Sequence, residues 1–333
     1  MLVSIITPIY KSQDYIEACA RSLFEQTYRD IEYIFVDDAG GDNSIPILEK
    51  IIKDYPQRHD QVKIIHHDNN RGSAMARESG MMAAHGHYII HVDSDDTVSP
   101  LFIEHLVKAV IENDADVAIC NIATTNKTSA KFTINQVECD NPSDYVASVL
   151  AGTVHASLCN KLFKRSIFIE KDIHFLDNIN MYDDMSVVFR ALYFCKNVVI
   201  VDEELYFYNR NNRNSITHKT RKRTEVVSAI ALSKLVEDFF SDKQVTAGII
   251  SGIVQLKNAI AGMLINHVPI KEYRDDLKGL EPFEMRIFIH QNNLPLHYKV
   301  ALMLYNCKLF PVIFLQRKLV VKMSNLYYRT QPN

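Results

Sequence analysis

The chain has 333 residues, of which 23% are charged and 47% hydrophobic, and its net charge is −3. This composition indicates a folded soluble protein of one large or two ordinary domains, and it argues against nucleic acid as the main partner. Residues 285–333 differ, because they contain no Asp or Glu but seven Lys and Arg. We expect this basic segment to meet an anionic surface.

The six cysteines are scattered along the chain, and none forms a C-x-x-C pair. Free thiols in apolar surroundings indicate a reducing compartment. The first residues lack the basic and apolar regions of a secretory signal, and no apolar run approaches the roughly 18 residues of a membrane-spanning helix. We therefore expect a cytosolic protein.

The first 120 residues alternate strand and helix patterns. The five predicted strands are LVSIITPIY, IEYIFVDD, QVKIIHHD, HYIIHVD and ADVAICNI, and helical segments separate them. This alternation predicts an α/β fold with a mostly parallel sheet and helices on both faces. Ligands bind such sheets beyond the carboxyl ends of the strands. Asp37 and Asp38, Asn69 to Arg71, and Asp93 to Asp96 follow strand ends, so we expect them to line one crevice.

The pattern changes in the second half of the chain. Residues 131–211 mix strand and helix signals, and the chain becomes wholly helical beyond about residue 220. Apolar residues recur there with the spacing of amphipathic helices. The change of period predicts an α/β domain at residues 1–219 and an all-helical C-terminal region at residues 220–333.

The segment DSDD places three carboxylates, Asp93, Asp95 and Asp96, within four positions. Alternate side chains of an extended segment share a face, so Asp93 and Asp95 point the same way. Two such carboxylates suit a hard divalent cation, Mn²⁺ or Mg²⁺, whose shell is completed by water and substrate phosphate. The alternative is that Asp95 and Asp96 are turn residues before the next helix.

A second alternative treats DSDDTV as the nucleophile motif of haloacid-dehalogenase-like phosphohydrolases. Asp93 would then attack phosphorus and Asp95 would serve as acid and base. Against it, three strand–helix units precede the motif, and Asp96 fills a position where that family commonly has Gly.

An ordered set of motifs resembles the family 2 inverting glycosyltransferases of the GT-A fold, which are Rossmann-like. The motifs are SIITPIYKSQDYI, SLFEQTYRDIEYIFVDDAGGDNS and NNRGSAMARESGMMAAHGHYIIHVDSDDTVSP, with weaker echoes in LCNKLFKRSIF, MYDDMSVVFRALYF and LYFYNRNNRNSIT. The resemblance implies a metal-dependent enzyme that moves a sugar from a nucleotide diphosphate donor, with a uridine diphosphate sugar expected. The acceptor would be a hydroxyl of a glycan or lipid-linked saccharide in bacterial surface-polysaccharide synthesis.

The same resemblance implies roles for individual residues on the donor side. Thr7, Pro8 and Tyr10 match the segment that lines the nucleotide pocket. Asp38 matches the residue that binds the base, and Arg71 lies in the loop that approaches the base and phosphates. Asp93 is expected on the sugar side and Asp95 on the metal, with Asp96 as its competitor. Glu78 departs from the family, which frequently has Asn there.

The acids Asp183 and Asp184 resemble the family's Glu-Asp pair, whose second member is the catalytic base. A carboxylate facing the donor can take the proton of an attacking hydroxyl. The alternative places both acids in the first turn of a helix, where the dipole favours them, and both interpretations can hold together. Arg210 and Arg213 are candidates for a basic loop over the diphosphate, or for a solvated loop.

The last predicted helix is basic and amphipathic. Its apolar face consists of Val312, Leu315, Leu319, Met323 and Leu326, and its basic face of Lys318, Lys322 and Arg329. This pattern is typical of a helix that lies on an anionic membrane, although a terminal helix packed on its own domain would look the same. We expect weak peripheral contact with the cytoplasmic face of the inner membrane.

Overall fold

A computed structural model describes residues 1–125, 131–134, 141–177, 179, 181–210, 212, 223–267, 280 and 295–306. The chain forms two compact units. The first comprises Met1–Val146 and Val154–Thr220, and the second comprises Ala147–Thr153 and Arg221–Asn333. The second unit therefore includes a short piece of the chain from before residue 219. The division into a catalytic domain and a helical region stays a prediction about function.

The first unit contains all nine strands of the described chain. The strands are β1 (Val3–Ile9), β2 (Ile31–Asp37), β3 (Val62–His66), β4 (Tyr88–His91), β5 (Thr97–Val98), β6 (Val117–Thr125), β7 (Lys131–Ile134), β8 (Lys161–Lys164) and β9 (Val198–Asn209). The helices that begin in this unit are α1 (Ile16–Phe24), α2 (Ser44–Asp54), α3 (Ser73–Ala83), α4 (Phe102–Glu112), α5 (Pro142–Ala151), α6 (Arg165–Glu170) and α7 (Asp183–Phe194), with a 3-10 helix at Pro56–Gln61.

The strands form one mixed sheet in the order β3-β2-β1-β4-β8-β6-β9-β5, with β7 paired to β6. The first four strands in that order are parallel, as the sequence predicts. The parallel pattern then stops, because β8 runs antiparallel to both β4 and β6. Parallel pairing resumes between β6 and β9, from Val117 opposite Val198 to Thr125 opposite Asn209. A mixed sheet flanked by helices confirms the predicted fold class.

The parallel register brings the ends of three strands to one edge of the sheet. Ile9 pairs with Asp37 across β1 and β2, and Ile6 pairs with His91 across β1 and β4. The residues that follow these strands, Tyr10, Asp38 and Asp93, therefore meet at the same edge.

Helix α3 lies unusually close to this sheet because Gly80 faces β1. A Cβ atom at Gly80 would lie 2.3 Å from Ile6 Cγ2, so any larger residue would push the helix away. Gly80 is followed by the buried Met81 and preceded, one turn earlier, by the buried Arg77. The close approach thus holds Arg77 against the end of β4.

The described part of the second unit is helical, with α8 (Arg223–Phe240), α9 (Ala247–His267) and α10 (Leu296–Asn306). Gly262 of α9 faces the ring of Tyr298 in α10, which fixes how these two helices pack. One segment, Ala247–Ile265, has a mean hydropathy of 1.5 and is long and apolar enough to cross a membrane, and 56% of it is buried within the protein. The sequence does not show this segment as an uninterrupted apolar run, because polar residues such as Lys257 lie within it. A buried core helix has the same composition, and the predicted basic helix at residues 312–329 lies outside the described residues.

Candidate active site

The carboxylate of Asp38 holds the loop that follows β3. Its Oδ1 accepts hydrogen bonds from His67 Nδ1 and the Arg71 N–H, both at 2.8 Å, and its Oδ2 accepts from Asn70 Nδ2 and the Gly72 N–H, both at 2.9 Å. Asp38 is 2% exposed. Four donors fill the acceptor positions of this carboxylate. The predicted contact with the nucleotide base would have to share or displace one of them, and it stays a prediction.

The other residues predicted for the nucleotide pocket lie around this loop. Thr7 is buried near the end of β1, and its hydroxyl has no hydrogen-bond partner among the described residues. Pro8 is half-buried, Tyr10 is exposed just beyond the strand, and the Arg71 side chain is exposed. The Asp38 N–H donates to Ile9 O at 2.9 Å, which ties the ends of β1 and β2 together.

In the acidic segment, Asp96 is committed to the protein itself. Its Oδ2 accepts a hydrogen bond from the Tyr206 hydroxyl at 2.6 Å, and its Oδ1 accepts from the Asn209 N–H at 2.7 Å. The Tyr206 hydroxyl in turn accepts from the Asp93 N–H at 3.2 Å. Burial raises the pKa of Asp96 well above its usual range, and the charges of Asp95 and Asp93 raise it further. Asp96 therefore fastens the acidic segment to β9.

Asp95 is the acid of this segment that faces open space. It lines a cavity of about 210 Å³ together with Asp14, Tyr15, Ala18, Thr97, Phe207 and Asn209. Its Oδ2 accepts a hydrogen bond from Asn212 Nδ2 at 2.8 Å. Burial raises the pKa of Asp95, and the charge of Asp93 adds to the effect.

This donor set can be tested against a divalent cation. Among the described residues, no three His, Cys, Asp or Glu side chains converge on a point where they could hold a metal ion. A site built on one or two carboxylates still fits Mg²⁺ or Mn²⁺, which keep several waters and bind substrate phosphates. The repulsion between Asp95 and its neighbouring acids is the feature that a cation would relieve.

Arg77 joins the acidic segment to the start of α7. Its Nη2 donates to Asp93 Oδ1 at 2.7 Å, and its Nη1 pairs with Asp183 Oδ2 and lies 3.2 Å from Asp184 Oδ1. Arg77 is only 6% exposed. Burial alone would lower the pKa of its guanidinium, but the charges of Asp184, Asp93 and Asp183 raise it well above the ordinary value. One buried cation thus gathers three carboxylates.

Asp184, the predicted base, stands in the first turn of α7 at this shared site. Its Oδ2 accepts a hydrogen bond from the Leu158 N–H at 3.2 Å. Its side chain is 27% exposed, while Oδ1 is buried beside Arg77 and has no hydrogen-bond partner among the described residues. Burial raises the pKa of Asp184, Arg77 lowers it, and the charge of Asp183 raises it again, with a net upward direction. A carboxylate with a raised pKa accepts a proton more readily at neutral pH.

The backbone before α7 is strained in a way that fixes this acid pair. Tyr182 has a φ of 75°, in the left-handed region that bulky residues rarely occupy. The conformation turns the chain sharply into the helix, so that Asp183 and Asp184 both lie at its N-terminal end. Asp183 also accepts a hydrogen bond from Ser73 Oγ at 3.1 Å. The pair therefore begins a helix, as one interpretation predicts, and also contacts Arg77. The catalytic role of Asp184 stays a prediction.

A buried lysine supports the loop that contacts Asp184. Lys161 is 0% exposed, and its Nζ donates to His155 O at 3.0 Å, Ser157 O at 2.7 Å and Asn160 Oδ1 at 2.9 Å. Burial lowers the pKa of Lys161 to about 8. These bonds fold residues 155–160 so that the Leu158 N–H points at Asp184. Lys161 and Arg77 both lie in segments that resemble the family, but no role for either follows from the sequence, because the groups that they contact are distant along the chain or belong to the backbone.

The basic loop is described only in part. Arg210 follows β9 and is exposed, and its neighbours Asn209 and Asn212 bind the acidic segment. Arg213 lies outside the described residues. The loop therefore begins beside Asp95 and Asp96, as a loop over a diphosphate would.

The mixed sheet with helices on its faces is an α/β fold of the GT-A type. The fold is similar to that of S. aureus TarS residues 1–349 in complex with UDP, at a TM-score of 0.72 and 15% identity over 97% of this chain and 92% of that chain. It is also similar to the mannosyltransferase PcManGT from Pyrobaculum calidifontis in complex with GDP-Man and Mn²⁺, at a TM-score of 0.56 and 14% identity over 99% and 88% of the two chains.

Sequence comparison identifies the family. The profile described as Glycosyl transferase family 2 matches residues 4–171. The glycosyltransferase GlyG of Streptococcus pneumoniae is 30% identical over 225 residues, which span 63% of this chain and 71% of that protein. Two further curated relatives are matched over 64% and 63% of their own length, so the chain spans less than two thirds of them. The chain belongs to glycosyl transferase family 2 and is a glycosyltransferase. The phosphohydrolase alternative has no support.

Proposed function

We propose that the protein is a metal-dependent, inverting glycosyltransferase that moves a sugar from a uridine diphosphate donor to a hydroxyl of a glycan or lipid-linked acceptor. The observation that carries this proposal is the bridge through Arg77, which brings the donor-side Asp93 and the proposed base Asp184 into one site. An inverting transfer needs a group that binds the donor and a base that faces it across the reacting carbon, and two acids on different elements of one site support this division of roles.

The chemistry follows from the position of Asp184. The acceptor hydroxyl is a weak nucleophile until a carboxylate takes its proton. Asp184 accepts that proton as the acceptor oxygen bonds to the anomeric carbon, and the bond from that carbon to the diphosphate oxygen breaks. The new bond forms on the face opposite the leaving group, which inverts the configuration. Such a base contributes about 10²–10⁴ in rate.

The leaving nucleoside diphosphate gains negative charge, and a divalent cation bound at the acidic segment would offset this charge. Asp95 would hold Mn²⁺ or Mg²⁺ at the cavity beside it, while Asp96 keeps the segment on β9. When bound, the cation neutralises charge on the diphosphate. Asp93 takes the sugar side, and Arg210 and Arg213 are proposed to cover the phosphates.

Thr7, Pro8, Tyr10, Asp38 and Arg71 are proposed to form the nucleotide pocket. The exposed ring of Tyr10 and the loop anchored by Asp38 lie at the same sheet edge, which supports this assignment. A uridine donor with a hexosyl or N-acetylhexosaminyl group is favoured because TarS, similar in fold, was solved with UDP and with UDP-GlcNAc. The Mn²⁺ in the PcManGT structure supports the metal.

The proposed biological setting is surface-polysaccharide synthesis in the bacterial cytoplasm, with peripheral contact at the inner face of the membrane. One matched relative, from Bacillus spizizenii, is named as a poly(ribitol-phosphate) beta-glucosyltransferase, which supports this setting. The basic residues 285–333 support contact with an anionic lipid surface.

The proposal is tested by measuring UDP binding calorimetrically and UDP release from UDP-glucose and UDP-GlcNAc, each with and without Mn²⁺. We expect Mn²⁺-dependent UDP binding and slow donor hydrolysis. Asp242→Asn, on an exposed loop far along the chain, serves as the control for site variants. Hydrolysis of p-nitrophenyl phosphate without any UDP binding would overturn the proposal.

A further inference from the structure

We infer that Arg77 is a positioning residue that holds the base Asp184 and the donor-side Asp93 in register, so that donor binding and deprotonation of the acceptor depend on one guanidinium. This inference rests on the proposed function. It also makes a prediction about the protein alone, which can be measured without any turnover.

The geometry of the guanidinium carries the inference. Arg77 reaches Asp93 through Nη2, and it reaches Asp183 and Asp184 through Nη1. The two terminal nitrogens therefore face two different elements, the end of β4 and the start of α7. A planar guanidinium directs its two terminal nitrogens toward separate carboxylates in a fixed geometry, whereas a lysine ammonium is a compact charge with rotatable donors.

The other contacts to Asp184 are few and weaker. The Leu158 N–H donates a hydrogen bond to it from the loop held by Lys161, and His155 lies on that same loop. Asp183 adds a negative charge from the same helix. Among the described residues, Arg77 is therefore the cation in direct contact with Asp184.

The neighbouring residue His91 is neutral and places no other charge behind Arg77. His91 of β4 lies behind it, and both ring nitrogens of His91 lack hydrogen-bond partners among the described residues. Burial lowers the pKa of His91 well below its usual range, and the charge of Arg77 lowers it further, so the ring stays neutral. Gly80 keeps α3 close to the sheet, and Arg77 with it.

An opposite charge at this distance lowers the pKa of a carboxyl group by about 1–3 units. Removal of the Arg77 charge should therefore raise the pKa of Asp184. The acid limb of the activity profile should move to higher pH with it, because the base must be ionised to act. A residue with a purely structural role would lower stability and leave that limb in place.

The test compares Arg77→Lys and Arg77→Met with wild type by following the aspartate side-chain carboxyl carbons by NMR as pH changes. The signal of Asp184 is assigned with Asp184→Asn. We expect Asp184 to titrate about one pH unit or more higher in Arg77→Met, and Arg77→Lys to fall between. Hydrolysis of UDP-GlcNAc should lose about 10–100-fold, mainly in kcat, with its acid limb shifted in parallel.

Arg190→Lys is the matched control, because Arg190 is a buried arginine that binds the carbonyl oxygens of Ser186 and His174 instead of the acids. It should lose stability without shifting the Asp184 titration. If Arg77→Met does not fold, Arg77→Met/Asp183→Asn removes one acid with the cation. It is then compared with Asp183→Asn alone, because the charge of Asp183 itself raises the pKa of Asp184.

Unchanged titration of Asp184 in both Arg77 variants would overturn the inference. A wild-type protein that neither binds nor releases UDP would overturn the proposed function instead, and the NMR comparison would still decide the role of Arg77.

Discussion

The proposed donor side and the proposed base side of the site are held by different kinds of contact. On the donor side, the Asp38 carboxylate accepts four hydrogen bonds from one loop. Several neutral or weakly charged donors therefore fix the position of this carboxylate and of the loop. On the base side, Asp183 and Asp184 both contact one guanidinium, that of Arg77 in helix α3. Hydrogen bonds stabilise the donor side, whereas ion pairs between two acids and one arginine stabilise the base side. Single substitutions should therefore act differently on the two sides.

The largest effect is expected on the base side. Asp184→Asn removes the proton acceptor and should lower sugar transfer and donor hydrolysis about 10²–10⁴-fold. Because one of two adjacent negative charges disappears, the midpoint of thermal unfolding should stay the same or rise. Steady-state UDP release and a melting curve measure both, and UDP affinity should change little. Full activity in Asp184→Asn would show that another group acts as the base.

On the donor side, the expected effect is on stability first. Asp38→Asn replaces one acceptor oxygen by a donor group and leaves two of the four loop donors without partners. Each unsatisfied buried donor costs about 1–3 kcal/mol, so two of them should lower the free energy of unfolding by about 2–6 kcal/mol. Urea unfolding followed by circular dichroism measures it.

The neighbouring acid provides the control for that variant. Asp37 pairs with His66 at 3.0 Å on the surface, and Asp37→Asn should cost no more than about 1 kcal/mol. Equal losses in the two variants would contradict the view that the donor loop depends on Asp38.

In the acidic segment, the proposed cation ligand Asp95 and the structural acid Asp96 are different residues, so their roles can be tested separately. Asp95→Asn should weaken Mn²⁺-dependent UDP binding by about 10–100-fold, a loss that even partners of metal ligands cause when they are replaced. Asp96→Asn should keep that binding, because both oxygens of Asp96 face Tyr206 and Asn209. Calorimetry with UDP at fixed Mn²⁺ measures the difference. The reverse result would assign the cation to Asp96.

The smallest effect concerns a pH-dependent contact between α3 and the segment before α7. Glu78 accepts hydrogen bonds from His174 Nδ1 at 2.7 Å and from the Phe175 N–H at 2.9 Å. Glu78 raises the pKa of His174, and Asp172 adds to it. Because the folded pKa is the higher one, this stabilisation is complete below the unfolded pKa of about 6.5 and is lost as pH rises through the folded pKa.

His174 is 43% exposed, so solvent screens the pair and we expect only about 0.2–1 kcal/mol. The difference in melting temperature between wild type and Glu78→Gln should be larger at pH 6 than at pH 8.5. Asp60→Asn, which breaks the fully exposed contact with His59, should show no such trend. A difference that does not change with pH would remove His174 from the explanation.

Much of the fold was predictable, because its signals are local. The strands β1 to β4 and β6 follow apolar runs, and the parallel order of the first four follows from the strand–helix alternation. The antiparallel β8 was not predictable, since its sequence KLFK does not form an apolar run and leads directly into α6. The strand β5 was not predictable either, because it has only two residues and so shows no periodic pattern.

The sequence by itself determined which acids are present, that strand ends carry them, and that the chain resembles a glycosyltransferase, because these properties depend on residue type and on spacing along the chain. Only the tertiary structure decided which carboxylates share a cation. Arg77 lies 16 residues from Asp93 and 107 from Asp184, and no local pattern links them. Their contact arises from the packing of α3 against β1 at Gly80, and charges that far apart in sequence interact only once the fold excludes water between them.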